Sequence, residues 1–239
     1  MTLQANGTIK MSEVNVELGY SATSMISLGN ANVRALLGVT SGTIALSDAY
    51  GKSSAPVIPT PGPVTPFTFV ADWMMITYTF TDGTDLDTRS RLVQPLTTTY
   101  LGWGQDSFLG NSISDFILRF GGDNTGTGQE AVLLNVANYK AAYPSDANLK
   151  IDTRGQWFGS VGSNPVSLTM TLWKGGTPTL VGYSWTNSTA TDTFTFQSGG
   201  KQITFASTNG ADLGQRVAVV NWNVNTGAGN IDTTDTTTF

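Results

Sequence analysis

The chain has 239 residues, enough for one large β domain with a small module or for two domains. Only 12% of the residues are charged, against about a quarter in typical domains, and the formal net charge is −5. This balance excludes a general attraction to nucleic acid or anionic lipid, so we expect neither as a partner, and it favours cations. The chain contains no Cys and no His, which excludes disulfides and Cys- or His-based catalysis and disfavours zinc.

Residues 1–52 contain an internal repeat, in which a short extended step leads into a helical turn. Each copy carries an isoleucine, at Ile9, Ile26 and Ile44, as its apolar anchor. Few other apolar residues surround these anchors, and a module this small is marginal alone. We therefore expect it to pack in an oligomer or against a partner protein. The copies span residues 7–14, 24–31 and 42–49.

The repeat also predicts where its helical turns begin and end. Ser12 and Ser47 are predicted N-caps, because each is followed by an acidic residue that suits a helix N-terminus. The longest helix is predicted over 31–37, beginning after Asn30 and ending at Gly38.

The end of this module carries a short pattern that is repeated within the chain. Residues 42–48 read Gly-Thr-Ile-Ala-Leu-Ser-Asp, and residues 50–53 read Tyr-Gly-Lys-Ser. The pattern resembles the leading segment of many tailed-bacteriophage structural proteins, which are collar, tail and fibre components. The alternative is an ordinary small helical subdomain.

The phage resemblance implies a location, partners and anchoring residues. It implies that the chain is assembled in a host cytoplasm into a virion, where its partners are other virion proteins. It also implies that Ile9, Ile26, Ile44 and Tyr50 belong to a virion-anchoring module. By analogy with phage fibres, it implies a homo-oligomer, specifically a trimer.

Residues 53–66 hold five of the nine prolines in the chain. This proline spacing is incompatible with a helix or a central strand. The segment is therefore predicted to be extended and semi-rigid, at about 3 Å per residue. It marks the boundary between the anchoring module at 1–52 and a second domain at 67–239.

Residues 67–239 contain many short β-rich runs that are separated by Gly- or Asn-rich turns. Regular strands and turns of this kind predict an antiparallel β-sandwich, so the chain as a whole is predicted to be mainly β. Residues 137–143 are predicted to form a short helix or turn, and the tail at 225–239 is expected to be mobile unless a partner orders it. The predicted strands are 68–80, 91–98, 113–120, 131–136, 149–158, 166–173, 179–185, 192–196, 202–205 and 216–224.

A loop rich in glycine and oxygen-bearing side chains separates two of these strands. Residues 120–130 read Phe-Gly-Gly-Asp-Asn-Thr-Gly-Thr-Gly-Gln-Glu, and Asp123, Asn124 and Glu130 supply hard oxygen ligands. Glycine lets the backbone turn tightly and point carbonyls inward. Such a loop suits a hard cation such as calcium.

A second acidic cluster lies upstream, where Asp85 and Asp87 flank Leu86. If this segment is extended, the two carboxylates share one face and the leucine points to the other. Two like charges on one face repel each other unless a cation lies between them, and calcium would remove that repulsion. The alternative for both clusters is that they are ordinary polar β-turns.

Together, the Asp-Leu-Asp step at 85–87 and the Gly-Asp-Asn-Thr-Gly-Thr-Gly loop at 122–128 resemble the motifs of the tellurium-resistance, or TerD-like, family. The resemblance covers roughly residues 68–185 and implies a calcium-binding β-sandwich. The loop departs from the family pattern because it lacks the spacer residue between Asn124 and Thr125. The residues implied to bind the metal are Asp85, Asp87, Asp123, Asn124 and Glu130.

Two classes of function follow from the sequence. The first is a structural component of a tailed-phage virion, and the alternative is a calcium-dependent stress-response, adhesion or carbohydrate-binding protein. Trp103, Trp157, Tyr183 and Trp185 form either a sugar-stacking platform, with a host-surface glycan as partner, or ordinary core packing. An enzyme is not expected, because the chain lacks a Gly-x-Ser-x-Gly elbow, a phosphate loop and a dinucleotide fingerprint.

Overall fold

The computed structural model describes residues 4, 7–17, 22–23, 27–28, 31–37, 39, 42–50, 52, 66–81 and 84–235. The chain divides into two compact units, Met1–Ile58 and Pro59–Phe239. The division falls inside the proline-rich segment 53–66. In the described part of the chain, no helix has the length and apolar character needed to cross a membrane.

The first unit contains two short helices and one 3-10 turn around a small apolar core. Helix α1 spans Met11–Glu17, α2 spans Ala31–Leu37 and the 3-10 turn spans Leu46–Ala49. The helix predicted over 31–37 is therefore confirmed. The predicted anchor Ile26 lies outside the described residues, as do Asn30 and Gly38. The buried core residues are Ile9, Val14, Val33, Leu37 and Ala49.

The first and third copies of the repeat begin their helical turns in the same way. In the first copy, the backbone amide of Lys10 donates to Glu13 Oε2 over 2.6 Å. In the third copy, the amide of Ala45 donates to Asp48 Oδ2 over 2.9 Å. An acidic side chain reaching back three residues is half of a capping box, so the repeat in sequence is also a repeat in hydrogen bonding.

The predicted N-caps Ser12 and Ser47 are wrong, because each serine lies inside its helical turn. The acidic residues that follow them, rather than the serines, bond the amides that precede the turns. Tyr50 then joins the two copies, since its hydroxyl donates to the carbonyl of Gly7.

Within its described residues, the second unit contains fourteen strands and one helix, α3, at Val136–Ala142. The strands are β1 (Phe67–Thr68), β2 (Trp73–Phe80), β3 (Leu86–Gln94), β4 (Leu101–Gly102), β5 (Phe108–Ser112), β6 (Asp115–Phe120), β7 (Gly128–Asn135), β8 (Asn148–Trp157), β9 (Ser167–Lys174), β10 (Thr179–Val181), β11 (Ser184–Thr186), β12 (Asp192–Gln197), β13 (Gln215–Asn223) and β14 (Ala228–Asp232).

Twelve of these strands form two six-stranded sheets. The first has the order β1-β14-β13-β8-β3-β4 and the second has the order β12-β9-β2-β7-β6-β5, and the strand pairings are antiparallel. Strands β10 and β11 form a separate hairpin. The prediction of a mainly β chain with antiparallel sheets and a small helical part is confirmed.

The main core lies between the two sheets, because alternate residues of each strand point inward. On β2, the side chains of Met74, Ile76, Tyr78 and Phe80 are all buried in this core. Phe80 meets Trp157 of the opposite sheet edge-to-face, with ring centroids 6.2 Å apart. On the other face of β2, Met75 belongs to a second apolar cluster, which contains Trp185 of the β10–β11 hairpin, and Trp73 packs against it.

Several predicted strands differ from the structure. Strand β3 begins at Leu86 instead of residue 91, so Asp87 lies in the strand and Asp85 directly precedes it. The strand predicted over 179–185 is a hairpin of β10 and β11, and the tail expected to be mobile contains β14, which pairs with β13. The strand predicted at 202–205 is wrong. There, Trp157 Nε1 donates to the Ile203 carbonyl and the Thr204 amide donates to Gln215 Oε1, while one backbone bond runs from the Trp157 amide to the Phe205 carbonyl.

A tyrosine hydroxyl links the two sheets through the core, and its removal tests how much the link contributes. Tyr78 Oη donates to the Arg89 carbonyl over 2.9 Å and lies 2.7 Å from Ser90 Oγ. We expect Tyr78→Phe to lower the free energy of unfolding by about 1–2 kcal/mol, because it leaves buried polar groups without this partner. Urea unfolding of the full chain measures the change.

The control is Tyr183→Phe, because the Tyr183 ring is 42% exposed. We expect that variant to change the free energy of unfolding by less than about 0.5 kcal/mol. Equal effects of the two substitutions would contradict a buried link between the sheets.

Candidate metal centre

The two acidic clusters meet at one end of the sandwich. Asp85 and Asp87 stand at the start of β3 in the first sheet, and Asp123 follows β6 of the second sheet. Leu86 is fully buried in the main core, so the two flanking carboxylates lie on the opposite side of the strand, as predicted. Pairing with β8 holds this step in place, since the Phe158 amide donates to the Asp85 carbonyl over 2.9 Å.

Three of the predicted ligands converge closely enough to hold a metal ion. Asp85, Asp87 and Asp123 each offer a carboxylate oxygen, and these oxygens all lie within 4.8 Å of one another. In each of the three residues, Oδ1 is buried and has no hydrogen-bond partner in the described part of the chain. Buried polar atoms normally have partners, and three carboxylates arranged in this way could hold a metal ion.

Glu130 is fully buried beside the cluster, but both of its carboxylate oxygens accept hydrogen bonds from other residues of the protein. Its Oε2 accepts from the amide and the hydroxyl of Thr88, and its Oε1 accepts from the Asn124 amide over 2.9 Å. Burial raises the pKa of Glu130 to about 8, and the charge of Asp123 adds to this. Glu130 therefore holds the 121–127 loop of one sheet against β3 of the other.

Asn124 is also committed within its own loop. Its Oδ1 accepts from the Gly126 amide over 3.3 Å, and its Nδ2 donates to the Gln129 carbonyl. Of the five predicted ligands, the structure thus brings three carboxylates together and places Asn124 and Glu130 in the hydrogen bonds that shape the loop.

The electrostatics of the three carboxylates follow from burial and mutual repulsion. Burial raises the pKa of Asp85 to about 6, and the charge of Asp123 raises it further. Burial likewise raises the pKa of Asp87 to about 6, and the charge of Asp85 acts in the same direction. A cation placed between the three groups would reverse both effects.

The nearest arginine does not neutralise the cluster by direct pairing. Arg89 is fully buried, and its Nη1 donates to the Thr88 carbonyl, while its Nε and Nη2 have no hydrogen-bond partner. Its guanidinium carbon lies 5.5 Å from the centre of the Trp103 ring. The charge of Asp87 favours the charged arginine, but burial lowers the arginine pKa.

A second buried aspartate on the same sheet, Asp152, has its carboxylate oxygens bonded by basic side chains. Asp152 on β8 accepts from Arg154 Nε over 2.8 Å, from Arg216 Nε over 2.6 Å and from the Tyr100 hydroxyl over 3.1 Å. Although burial alone would raise the pKa of Asp152, the bonds from Arg216 and Arg154 hold it below its usual value. Asp152 is therefore an internal ion pair, which the three clustered carboxylates are not.

A cleft of about 570 Å³ opens beside the carboxylates. Two aromatic rings on its wall, Trp103 and Phe158, meet edge-to-face with centroids 5.7 Å apart. The four-residue sugar platform predicted from the sequence is wrong as a set, because Trp157 and Trp185 are buried in apolar clusters. The cleft is lined by Thr84, Asp85, Trp103, Asp123, Thr125, Phe158 and Ser160.

Sequence reasoning missed two residues at this site. Gln156 faces Asp87 across the β3–β8 register, and its Nε2 lies 3.4 Å from Asp87 Oδ2. Phe158 ends a strand predicted from the sequence and lies within the TerD-like resemblance, but neither pattern assigns it to the site. No local pattern marks either residue, because strand register alone brings β8 alongside the Asp-Leu-Asp step.

Comparisons of the chain with protein-family models, with curated proteins and with solved structures find no match. The resemblances described above therefore rest on the motif residues, and the site rests on its own geometry.

The raised carboxylate pKa values predict how stability depends on pH without metal. In the folded state the pKa values of Asp85 and Asp87 are about 6 and that of Glu130 is about 8. In the unfolded state the pKa values of these residues lie near 4, so the folded state binds their protons more tightly. The free energy of unfolding of the metal-free protein should therefore fall as the pH rises from about 4 to about 8. Asp152, with its lowered pKa, acts in the opposite direction, but only below this window.

Urea unfolding of metal-stripped protein at pH 5 and pH 8 measures this dependence. The variant Asp85→Asn, Asp87→Asn, Glu130→Gln should show a much smaller difference between the two pH values, because it removes the titrating groups. A wild-type stability that rises over this range would show that the folded state does not hold these protons.

Proposed function

We propose that this chain is a structural component of a tailed-phage particle, in which the N-terminal module anchors a calcium-binding β-sandwich. The observation that carries the calcium part is the convergence of Asp85, Asp87 and Asp123 with three buried, unpartnered oxygens. The donors at this centre are carboxylates, which suit a hard cation, and the chain has no Cys or His to favour a softer metal.

Calcium is favoured over magnesium by the way the site is built. Calcium accepts six to eight oxygen ligands in flexible geometry, whereas magnesium demands a tighter octahedral shell. Here the ligands come from a strand and from a glycine-rich loop, Gly121–Gly128 in sequence, which can adjust around a larger ion.

The proposed ion also has a mechanical role. Asp85 and Asp87 belong to the first sheet, and Asp123 belongs to the loop that connects two strands of the second sheet. One ion bound to all three would tie the sheets together at that end and remove the repulsion that otherwise pushes them apart. At a hundredfold excess over Kd, binding stabilises the folded state by about 2.7 kcal/mol.

Thermal unfolding with calcium, magnesium or a chelator tests this proposal. Calcium should raise the melting temperature by several degrees over the chelated protein, and magnesium should raise it less. The variant Asp87→Asn, Asp123→Asn should lose the calcium effect because two of the three ligand charges are gone.

The matched control for that variant is Asp192→Asn, which removes an exposed carboxylate from the edge strand β12. It should keep the full calcium effect. Coincident melting curves for wild-type protein in calcium and chelator would reject the calcium site and leave the acidic residues as turn and strand-end residues.

The anchoring part of the proposal is supported by the phage-like pattern and by the small size of the N-terminal core. Ile9 is buried in that core and Ile44 packs against it, while Tyr50 bonds the third copy of the repeat to the first. These residues maintain the shape of the module, and attachment depends on that shape. We propose that the module docks on other virion proteins and that the chain is a homo-oligomer, specifically a trimer.

Particle-binding assays test the anchor. Ile9→Asp should abolish co-sedimentation of the protein with phage particles, because it places an unpaired charge in the N-terminal core. The control Val70→Asp changes a valine that is 47% exposed in the sandwich unit and should bind normally. Undiminished co-sedimentation of Ile9→Asp, or of a chain lacking residues 1–52, would contradict the anchoring role.

A further inference from the structure

We propose that the cleft beside the carboxylates binds a neutral saccharide, with a pair of neighbouring sugar hydroxyls completing the calcium shell and the Phe158 ring packing on the sugar's apolar face. This inference rests on the calcium site proposed above. It adds a ligand class and a mode of recognition to that site.

The three aspartates leave the coordination shell of a calcium ion incomplete. Three aspartates supply the converging oxygens, whereas calcium takes six to eight ligands. Asp87 is fully buried, but Asp85 and Asp123 line the cleft. The ligand positions that the protein leaves open are therefore accessible from the cleft, where oxygen atoms of another molecule can fill them.

The cleft wall has a mixed chemistry. It is lined by the hydroxyl-bearing residues Thr84, Thr125 and Ser160 and by the aromatic residues Trp103 and Phe158. A pyranose has hydroxyls around its rim and an apolar C–H face, so it matches a wall of this mixed character. The volume of about 570 Å³ lies within the range of small-molecule sites.

The Trp103 ring of the cleft is held in position by its packing. The Trp103 ring lies over the Arg89 guanidinium at 5.5 Å and meets Phe158 edge-to-face at 84°. A Cβ atom on Gly210 would lie 3.1 Å from Trp103 Cζ3, so the backbone there packs closely against the indole. Phe158, by contrast, is 41% exposed. The cleft thus has a fixed support and an exposed ring, which limits the ordering cost of binding.

The negative charge of the site favours a neutral ligand. One Ca²⁺ among three carboxylates leaves a local charge of −1, and the chain itself carries −5. Among the residues that the structure describes, those lining the cleft include no Lys or Arg, and the nearby Arg89 is fully buried. An anionic ligand would be repelled, whereas uncharged hydroxyls can coordinate the ion without adding charge.

The experiment is a glycan array that carries neutral and sialylated glycans, probed with the full chain in calcium and in chelator. Neutral glycans should bind in calcium, and chelation should abolish the signal. Isothermal titration with the best neutral glycan should then show that Phe158→Ala weakens binding by about tenfold, because it removes the stacking ring. Phe205→Ala, a change at a phenylalanine that is 40% exposed and does not line the cleft, should bind like wild type.

Melting curves for each variant in calcium separate the two proposals. If calcium raises the melting temperature but no neutral glycan binds, the saccharide proposal fails and the calcium site stands. If calcium has no effect on melting, the calcium site fails and the saccharide proposal fails with it. Binding that persists in chelator, binding of sialylated glycans alone, or unchanged affinity of a folded Phe158→Ala would each overturn the saccharide proposal.

Discussion

The end of this sandwich is governed by the mutual repulsion of three carboxylates that the fold forces together. Carboxylate oxygens of Asp85, Asp87 and Asp123, one from each residue, lie within 4.8 Å of one another, and in the described part of the chain their buried Oδ1 atoms have no hydrogen-bond partner. On the same sheet, Asp152 receives two arginines and a tyrosine. The contrast matters because Asp87 and Asp152 are both fully buried, yet only Asp152 has its charge satisfied by arginines.

The surrounding structure is arranged to keep the three carboxylates in place despite that repulsion. Leu86 locks the strand by burying its side chain in the core, and Glu130 bonds the loop of the second sheet to Thr88 of the first. The hydroxyl of Tyr78 adds a further link between the sheets nearby in β3. These contacts bring the carboxylates together during folding, which would leave less ordering for the binding of a cation.

The N-terminal unit follows a different logic, in which local hydrogen bonds compensate for a small core. Glu13 and Asp48 cap equivalent turns of the repeat, and Tyr50 joins the two copies. Because only five buried apolar residues are described in that core, these hydrogen bonds contribute much to fixing the fold of the unit.

The sequence by itself determined the mainly β class, helix 31–37 and the pairing of Asp85 with Asp87 on one strand face, because these depend on local periodicity. The early start of β3, the strand in the tail and the side-chain bonds that replace a strand at 202–205 depend on partners far along the chain. The site also depends on distant partners. Only the tertiary structure shows that Asp123 joins the carboxylate cluster while Asn124 and Glu130 do not, and that Phe158 lies at its rim. Strand register between β3 and β8 places Phe158, whereas the packing of the two sheets brings the loop with Asp123 to β3.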